Sequence, residues 1–340
     1  MKILVTGGTG YIGSHTVVEL HNAGFEVCIV DNLSNSDKNV LQGLETITGK
    51  VFEFHQVDLA DKNKAEQFFA EHHDFSAVIH FAAYKAVGES VENPLKYYNN
   101  NINALLNVLF AMKQHSIPNL VFSSSCTVYG QPDKLPVTEQ SPIKKADSPY
   151  GNTKQMSEEI ISFTVNSDKK ISAVALRYFN PIGAHHSAEI GELPLGKPDN
   201  LVPFITQTAA GVREQLSVFG DDYNTPDGTA VRDYIHVTDL AQAHVVTVKR
   251  LIEHNNKSEF EMFNLGTGKG SSVKEMVETF EAVTGQKLNY KYVERRKGDI
   301  EQVWADTSLA NEELGWKSRL SIAEALNSAW EWEKKIRTLK

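Results

Sequence analysis

The first 31 residues constrain the fold more than any other stretch of this 340-residue chain. Lys2-Ile3-Leu4-Val5-Thr6 is an apolar, β-branched run of the kind that fills a buried parallel strand. It breaks into Gly7-Gly8-Thr9-Gly10-Tyr11-Ile12-Gly13. Ser14 to Ala23 then carries apolar residues at Val17, Val18 and Leu20, and Gly24 is a helix stop. Phe25 to Val30 reads as a second strand ending on Asp31. Gly7, Gly10 and Gly13 permit a tight turn and close approach to a pyrophosphate, whose charge rests on the N–H groups at the helix start. Asp31 stands near the spacing, about 20 residues on, at which an acid accepts hydrogen bonds from an adenosine ribose. Its carboxylate would repel a 2′-phosphate, so the expected cofactor is NAD.

The length suffices for a large core and suggests roughly two lobes. A net charge of −9 argues against a nucleic-acid partner or an anionic membrane surface. Any anionic ligand must then be held by a few placed cations. No apolar run reaches the ~18 residues of a membrane span, and the apolar start reads as a strand rather than a cleavable leader. Two cysteines make no disulfide framework, and the expected location is cytoplasmic. Cys28 reads as a small core residue in a strand, and Cys126 as structural.

Strand and helix signals alternate after Asp31. Strands are expected at 51–57, 77–81, 120–122 and 171–176, and helices at 61–73, 94–115 and from Ser148-Pro149 onward. This predicts an α/β fold, a Rossmann-like doubly wound parallel sheet with right-handed crossovers. After Arg177 the texture changes. A long loop over 181–200 is followed by a helix at 201–212, a strand at 216–219, and helices at 237–253, 272–284 and 322–335. The strand expected at 260–265 returns to the first sheet. The division is a cofactor domain over 1–180, with later segments such as 237–265 returning to it, and a smaller mixed α/β substrate lobe over 181–340.

Chemistry concentrates at two places. Ser123-Ser124-Ser125 follows a predicted strand, which puts hydroxyls at the carboxyl edge where such sheets bind ligands. Tyr150 and Lys154 open the helix behind Ser148, an N-cap, and Pro149; at this spacing both side chains leave one helix face. Beside a nicotinamide, Tyr150 could remove a proton from a carbinol while hydride leaves the same carbon. An ammonium from Lys154 and the cofactor's positive charge would bring the phenol down toward 7, which requires about 4 kcal/mol. Lys154 would also bond the nicotinamide ribose, and Ser125 would orient the substrate hydroxyl. His72-His73 and His185-His186 lack a recognisable ligand set, so no metal is expected. On residues alone, Phe219 reads as core and Arg295-Arg296 as a solvated face.

Thr6 to Gly13, Ser123-Ser124-Ser125, Tyr150 with Lys154, Arg177-Tyr178-Phe179-Asn180-Pro181 and Arg232-Asp233-Tyr234-Ile235-His236-Val237 together resemble the extended short-chain dehydrogenase/reductase family. Lys85-Ala86-Val87-Gly88-Glu89-Ser90, Asn200-Leu201 and Arg295-Arg296-Lys297-Gly298-Asp299 look like its UDP-hexose 4-epimerase branch. The resemblance covers essentially the whole chain. It implies NAD contacts at Gly7, Gly10, Tyr11, Ile12, Gly13, Asp31, Asn32, Leu33, Ser34, Asn35, Ser36, Asp58, Leu59, Phe81, Ala82, Ala83, Lys85, Asn100, Ser125, Tyr150, Lys154 and Phe179. It implies UDP-hexose contacts at Lys85, Ser125, Tyr150, Asn180, Asn200, Leu201, Phe219, Arg232, Arg296, Asp299 and Val303. In that assignment Arg232 and Arg296 clamp the pyrophosphate, Phe219 stacks on uracil and Asp299 accepts from ribose hydroxyls.

The activity implied is reversible interconversion of UDP-glucose and UDP-galactose through a 4-keto sugar, with NAD retained between turnovers. A 4,6-dehydratase shares the oxidation but needs an acid and a base just after the serine run, where this chain has Cys126 and Thr127. An NAD-sensing protein would not need Tyr150 and Lys154 together. Val303, small at a position that lines the hexose pocket in that branch, suggests that UDP-N-acetylhexoses are also accepted. The resemblance further implies a homodimer through helices near 94–115 and 150–165.

Overall fold

A computed structural model describes residues 1–296 and 299–338; Lys297 and Gly298 of the late motif lie outside the described residues. In chain order the first half runs β1 (Lys2–Thr6), α1 (Tyr11–Asn22), β2 (Glu26–Asp31), α2 (Val40–Thr48), β3 (Glu53–Gln56), α3 (Lys62–Glu71), β4 (Ala77–His80), α4 (Val87–Glu92), α5 (Pro94–His115), β5 (Asn119–Ser125), a 3-10 turn (Cys126–Tyr129), α6 (Pro149–Ser167) and β6 (Ser172–Tyr178). Short pieces follow: β7 (Asn180–Ile182), α7 (Leu201–Ala209), β8 (Leu216–Phe219), β9 (Val231–Arg232), β10 (Tyr234–His236), α8 (Val237–Ile252) and β11 (Phe260–Leu265). The chain closes with β12 (Ser271–Ser272), α9 (Val273–Thr284), β13 (Tyr290–Val293), β14 (Gln302–Val303), α10 (Ser308–Glu313) and α11 (Ile322–Thr338).

The central sheet has the order β11-β6-β5-β4-β1-β2-β3, and every pair in it is parallel. Its alternating side chains feed two cores, as the two-residue period of a strand requires. Ile3, Val5, Ile29, Ile79 and Val121 meet Val17, Val18 and Leu20 of α1 and Leu240 and Val248 of α8. Leu4, Cys28, Val30, Val78 and Phe122 meet Phe68 and Phe69 of α3, Leu105 and Val108 of α5, and Ile161 of α6. Cys28 is thus a core residue. A third core under the substrate lobe joins α7, β8, α9 and α11 through Ile205, Val218, Phe280 and Leu326. No helix among the described residues is long and apolar enough to cross a membrane.

Several boundaries differ from the sequence expectations. The helix predicted from Ser14 starts at Tyr11, because Gly10 adopts the extended N-cap geometry and the glycine turn runs straight into the first helical turn. Ser123, Ser124 and Ser125 do not follow β5; they are its last residues, paired with Leu176, Arg177 and Tyr178 of β6. Hydroxyl side chains masked the strand, whose polar end is satisfied by tertiary partners. Helices α2 and α4 form in stretches for which no element was expected, and β7 runs into the expected 181–200 loop, with Asn180 paired to Tyr234 of β10.

Candidate active site

The glycine turn is a backbone cradle. Gly7 has φ +70°, and a Cβ there would sit 2.8 Å from the Ala82 amide nitrogen. A Cβ on Gly13 would lie 2.2 Å from the Gly7 carbonyl oxygen, so only glycine allows these segments to close up. No side chain caps the α1 N-terminus, which leaves the amides around Tyr11 and Ile12 for an anion. Asp31 ends β2 buried: Oδ2 accepts from Thr9 N at 3.2 Å, and Oδ1 accepts from Leu33 N at 2.9 Å and Ser36 Oγ at 3.2 Å. The carboxylate therefore braces the 32–36 loop against the glycine turn. Asn32 turns that loop by accepting from Ser34 N at 3.0 Å, and Asn35 is exposed. On the next strand end Asp58 accepts from Ala60 N at 3.0 Å, and Leu59 is buried. Phe81 packs on His244 at 4.7 Å, and Ala82 N donates to Thr6 Oγ1 at 3.4 Å beside Ala83. The uncapped helix start, the space that a Cβ would fill and the buried acid all fit a dinucleotide.

Asn100 donates to Asn101 Oδ1 at 3.0 Å. Asn101 also bonds both backbone groups of Tyr84 and Thr153 Oγ1, fastening the loop after β4 to α6. Sequence reasoning missed Asn101. Its signal was a run of three poor helix formers, Asn99 to Asn101, inside a long helix.

The second cluster hangs on the start of α6. Ser148 Oγ accepts from Gly151 N at 3.1 Å, fixing where the helix begins and hence where Tyr150 and Lys154 point. Tyr150 is half-buried; Lys154 is 4% exposed. Lys154 Nζ lies 5.8 Å from the Tyr150 ring centroid and 4.8 Å from that of Phe122, and it donates to the Ser123 carbonyl at 2.5 Å. Ser125 Oγ accepts from Thr127 N at 3.2 Å at the end of β5. Burial pushes the Tyr150 phenol up to about 12, with the Ser125 hydroxyl pulling the other way. Burial also lowers the Lys154 ammonium to about 7, opposed by Glu158. The expectation of a phenol drawn toward 7 counted charges and left out desolvation; among the protein's own groups, desolvation wins. The Cys126 thiol is likewise pushed up to about 12 by burial, which makes it a poor nucleophile.

The charged residues expected to meet the substrate already hold one another. Arg232 donates to Asp299 Oδ1 at 2.5 Å. Lys85 Nζ meets Glu192 Oε1 at 3.2 Å, and the same oxygen accepts from Asn200 Nδ2 at 2.6 Å. The Arg296 guanidinium stacks 4.1 Å from the Phe219 ring centroid, occupying a face of that ring. Leu201 opens α7, and Asn180 N bonds the Asp233 carbonyl at 2.9 Å. Phe179 and Val303 share a buried cluster with Val128, Tyr129 and Val137, and Val303 pairs with Arg232 across β14 and β9. Asp233, also missed, is fully buried. Its carboxylate collects Thr267 N, Thr267 Oγ1, Gly268 N and Ala305 N, locking the strand that presents Arg232. Cys28, Glu53 and His55 lie within 4.8 Å of one another, but Lys2 Nζ takes Glu53 at 3.0 Å and burial pushes the Cys28 thiol up to about 12.

Residues 4–329 match the family profile described as GDP-mannose 4,6 dehydratase. The UDP-glucose 4-epimerase of Bacillus subtilis (strain 168) is 49% identical, over 98% of this chain and 97% of that protein. Among solved structures, the UDP-glucose-4-epimerase of Stenotrophomonas maltophila, with bound NAD and formylated UDP-arabinopyranose, superposes with a TM-score of 0.96 at 46% identity, covering 100% of both chains. That of Bifidobacterium longum, in complex with NAD+ and UDP, gives 0.93 at 45% identity over 98% of each. The chain belongs to the UDP-glucose 4-epimerases of the extended short-chain dehydrogenase/reductase family.

Proposed function

We infer that this chain interconverts UDP-glucose and UDP-galactose through a 4-keto sugar, with NAD held on the glycine cradle. The observation that carries this reading is the meeting of Tyr150, Lys154 and Ser125 on the same carboxyl rim of the sheet as the cradle and Asp31. When bound, NAD supplies a reversible acceptor for the C4 hydride. Tyr150 takes the proton of the 4-hydroxyl and returns it, while Ser125 orients that hydroxyl. Burial raises the Tyr150 phenol and lowers the Lys154 ammonium, and a proton on the lysine, 5.8 Å from the ring centroid, would favour the phenolate by charge. We assign Tyr11, Ile12, Asp31 to Ser36, Asp58, Leu59, Phe81 to Ala83, Lys85, Asn100 and Phe179 to the cofactor. Residues 1–180, with 237–265, form the part that holds it, and 181–340 mainly the substrate lobe.

Arg232 and Arg296 take the pyrophosphate, Phe219 the uracil and Asp299 the ribose, with Lys85, Asn180, Asn200 and Leu201 around the sugar. Binding then exchanges partners: Arg232 leaves Asp299, and Arg296 leaves the Phe219 face. Arg232, Arg296, Phe219 and Asp299 all grip the nucleotide, which leaves the hexose free to turn over between the two hydride transfers. A 4,6-dehydratase is disfavoured, because Cys126 is too weak an acid and Thr127 Oγ1 is buried without a partner. Incubation of the pure protein with UDP-galactose and no added NAD decides: UDP-glucose is expected, a dehydrated 4-keto product would mark a dehydratase, and no reaction would remove catalysis.

The small Val303 supports turnover of UDP-N-acetylgalactosamine as well. Val303→Tyr should suppress that turnover more than that of UDP-galactose, and equal rates for both proteins would refute the pocket argument. Leu95 and Phe110 on α5 and Phe163 on α6 are 80%, 66% and 77% exposed, which supports a homodimer through these helices; light scattering should give twice the chain mass. Two free thiols, Cys28 and Cys126, support a cytoplasmic location.

A further inference from the structure

The Tyr150–Lys154 helix and the strand that presents Arg232 belong to different parts of the molecule, yet epimerisation needs them in one register. A buried line of hydrogen bonds, continued along the backbone at Val137 and Trp304-Ala305, joins them. Glu158, one turn beyond Lys154 on α6, holds Arg177 of β6 through both carboxylate oxygens, at 2.9 and 2.5 Å, and accepts from Ser124 Oγ at 2.5 Å. Arg177 NH1 donates to Tyr129 Oη at 2.9 Å, and Tyr129 Oη donates to Asn264 Oδ1 of β11 at 2.6 Å. Asn264 Nδ2 donates to the Val137 carbonyl at 2.9 Å, and that carbonyl also accepts from Asp306 N at 2.7 Å. Val137 N returns to the Trp304 carbonyl at 2.9 Å, and Ala305 N reaches Asp233, the neighbour of Arg232.

Arg177, Tyr129, Asn264 and Val137 are at most 1% exposed. Apolar residues of similar volume often serve stability as well as a buried ionic network does, so packing alone does not account for this one. Neither Tyr129 nor Asn264 belongs to the catalytic group or to the nucleotide clamp. What they share is position: Tyr129 sits where the serine strand ends, and Asn264 sits on the sheet edge facing segment 137. We propose that Tyr129 and Asn264 are positioning residues, which hold the catalytic helix in register with the strands carrying Arg232 and Val303. The proposal rests on the epimerase reading above and deepens it. Each half should bind its own ligand without the line, while the reaction, which needs both halves aligned to within about an ångström, should not run at full rate.

Tyr129→Phe removes one hydroxyl and keeps the ring in its cluster. The expected result is a kcat about tenfold lower at a temperature well below unfolding, with the UDP dissociation constant and the amount of co-purified NAD unchanged. A merely structural hydroxyl would lower Tm and leave kcat alone. A kcat within twofold of wild type overturns the proposal, as does a loss that only follows weakened UDP or NAD binding. Asn264→Ala, alone and combined with Tyr129→Phe, tests whether the two act as one line: the double variant should be no slower than the slower single, and additive losses would overturn it. If Asn264→Ala does not fold, Tyr129→Phe decides. Wild-type turnover measured alongside separates the two ideas. An inactive wild type removes the epimerase reading, whereas an active wild type with an equally active Tyr129→Phe removes only the positioning role.

Discussion

The two ends of the proposed active site are built on different physical terms. At the hydride end, geometry is set by backbone: a glycine turn too tight for a Cβ, a strand end that carries Ser125, and a capped helix start that aims Tyr150 and Lys154. Behind it Glu158 and Arg177 pair with side chains 5% and 1% exposed. Breaking such a pair leaves a buried charge uncompensated and costs about 3–5 kcal/mol. At the substrate end the contacts are ion pairs partly open to water. Arg232–Asp299 is 16% and 26% exposed, and Lys85–Glu192 is 45% and 13% exposed. Pairs of that kind contribute about 0–1 kcal/mol, so they exchange readily for phosphate or ribose oxygens. One end is rigid because chemistry tolerates little error, and the other is held by contacts a ligand can replace.

Variants at the two ends should therefore fail differently. Tyr150→Phe should lower kcat by about 100-fold or more while UDP affinity changes little, since it removes acid–base help and no nucleotide contact. Retained turnover would take Tyr150 out of its role and, with it, the rigid half of the contrast. Arg232→Met should weaken UDP binding by about tenfold or more, the scale of a lost charge-assisted hydrogen bond, and leave co-purified NAD unchanged. Titration calorimetry with UDP and mass spectrometry of the native protein would measure both. Loss of NAD in that variant would show that the halves are not separable.

The smallest effect concerns the sheet half alone. Burial lowers His15 and His80 to about 3 and His244 to about 4. The native chain keeps these rings neutral, while the unfolded chain takes up protons near 6.5, so below that pH the unfolded state binds more protons. Stability is therefore lost as pH falls, by about 0.7 kcal/mol for each ring from pH 7 to 6. His80, which lies between Thr6 and the Lys154 charge, is the clearest test. His80→Gln should flatten the dependence of Tm on pH by about 1 °C over that interval, and an unchanged slope would mean that His80 is not held neutral.

Much of the hydride end was readable from the chain because its determinants are local. A five-residue apolar strand, a glycine turn and the four-residue spacing of Tyr150 and Lys154 depend only on neighbours, and so does the Ser148 cap. Where neighbours did not suffice, the reading slipped. Three serines concealed the end of β5, because their burial against β6 is supplied from fifty residues away. The phenol and ammonium were expected to help each other by charge, and only the packed surroundings showed that desolvation moves both against ionisation.

By itself, then, the sequence determined the doubly wound core, the glycine turn and the placing of Tyr150 and Lys154 on one face of a capped helix, since strand period, glycine freedom and helical spacing act over a few residues. Tertiary structure alone decided that Arg232 meets Asp299 across 67 positions, that Lys85 meets Glu192 across 107, and that Tyr129 reaches Asn264 across 135. Pairing, burial and proton affinity depend on which distant groups share a volume from which water has been removed. No local pattern encodes that.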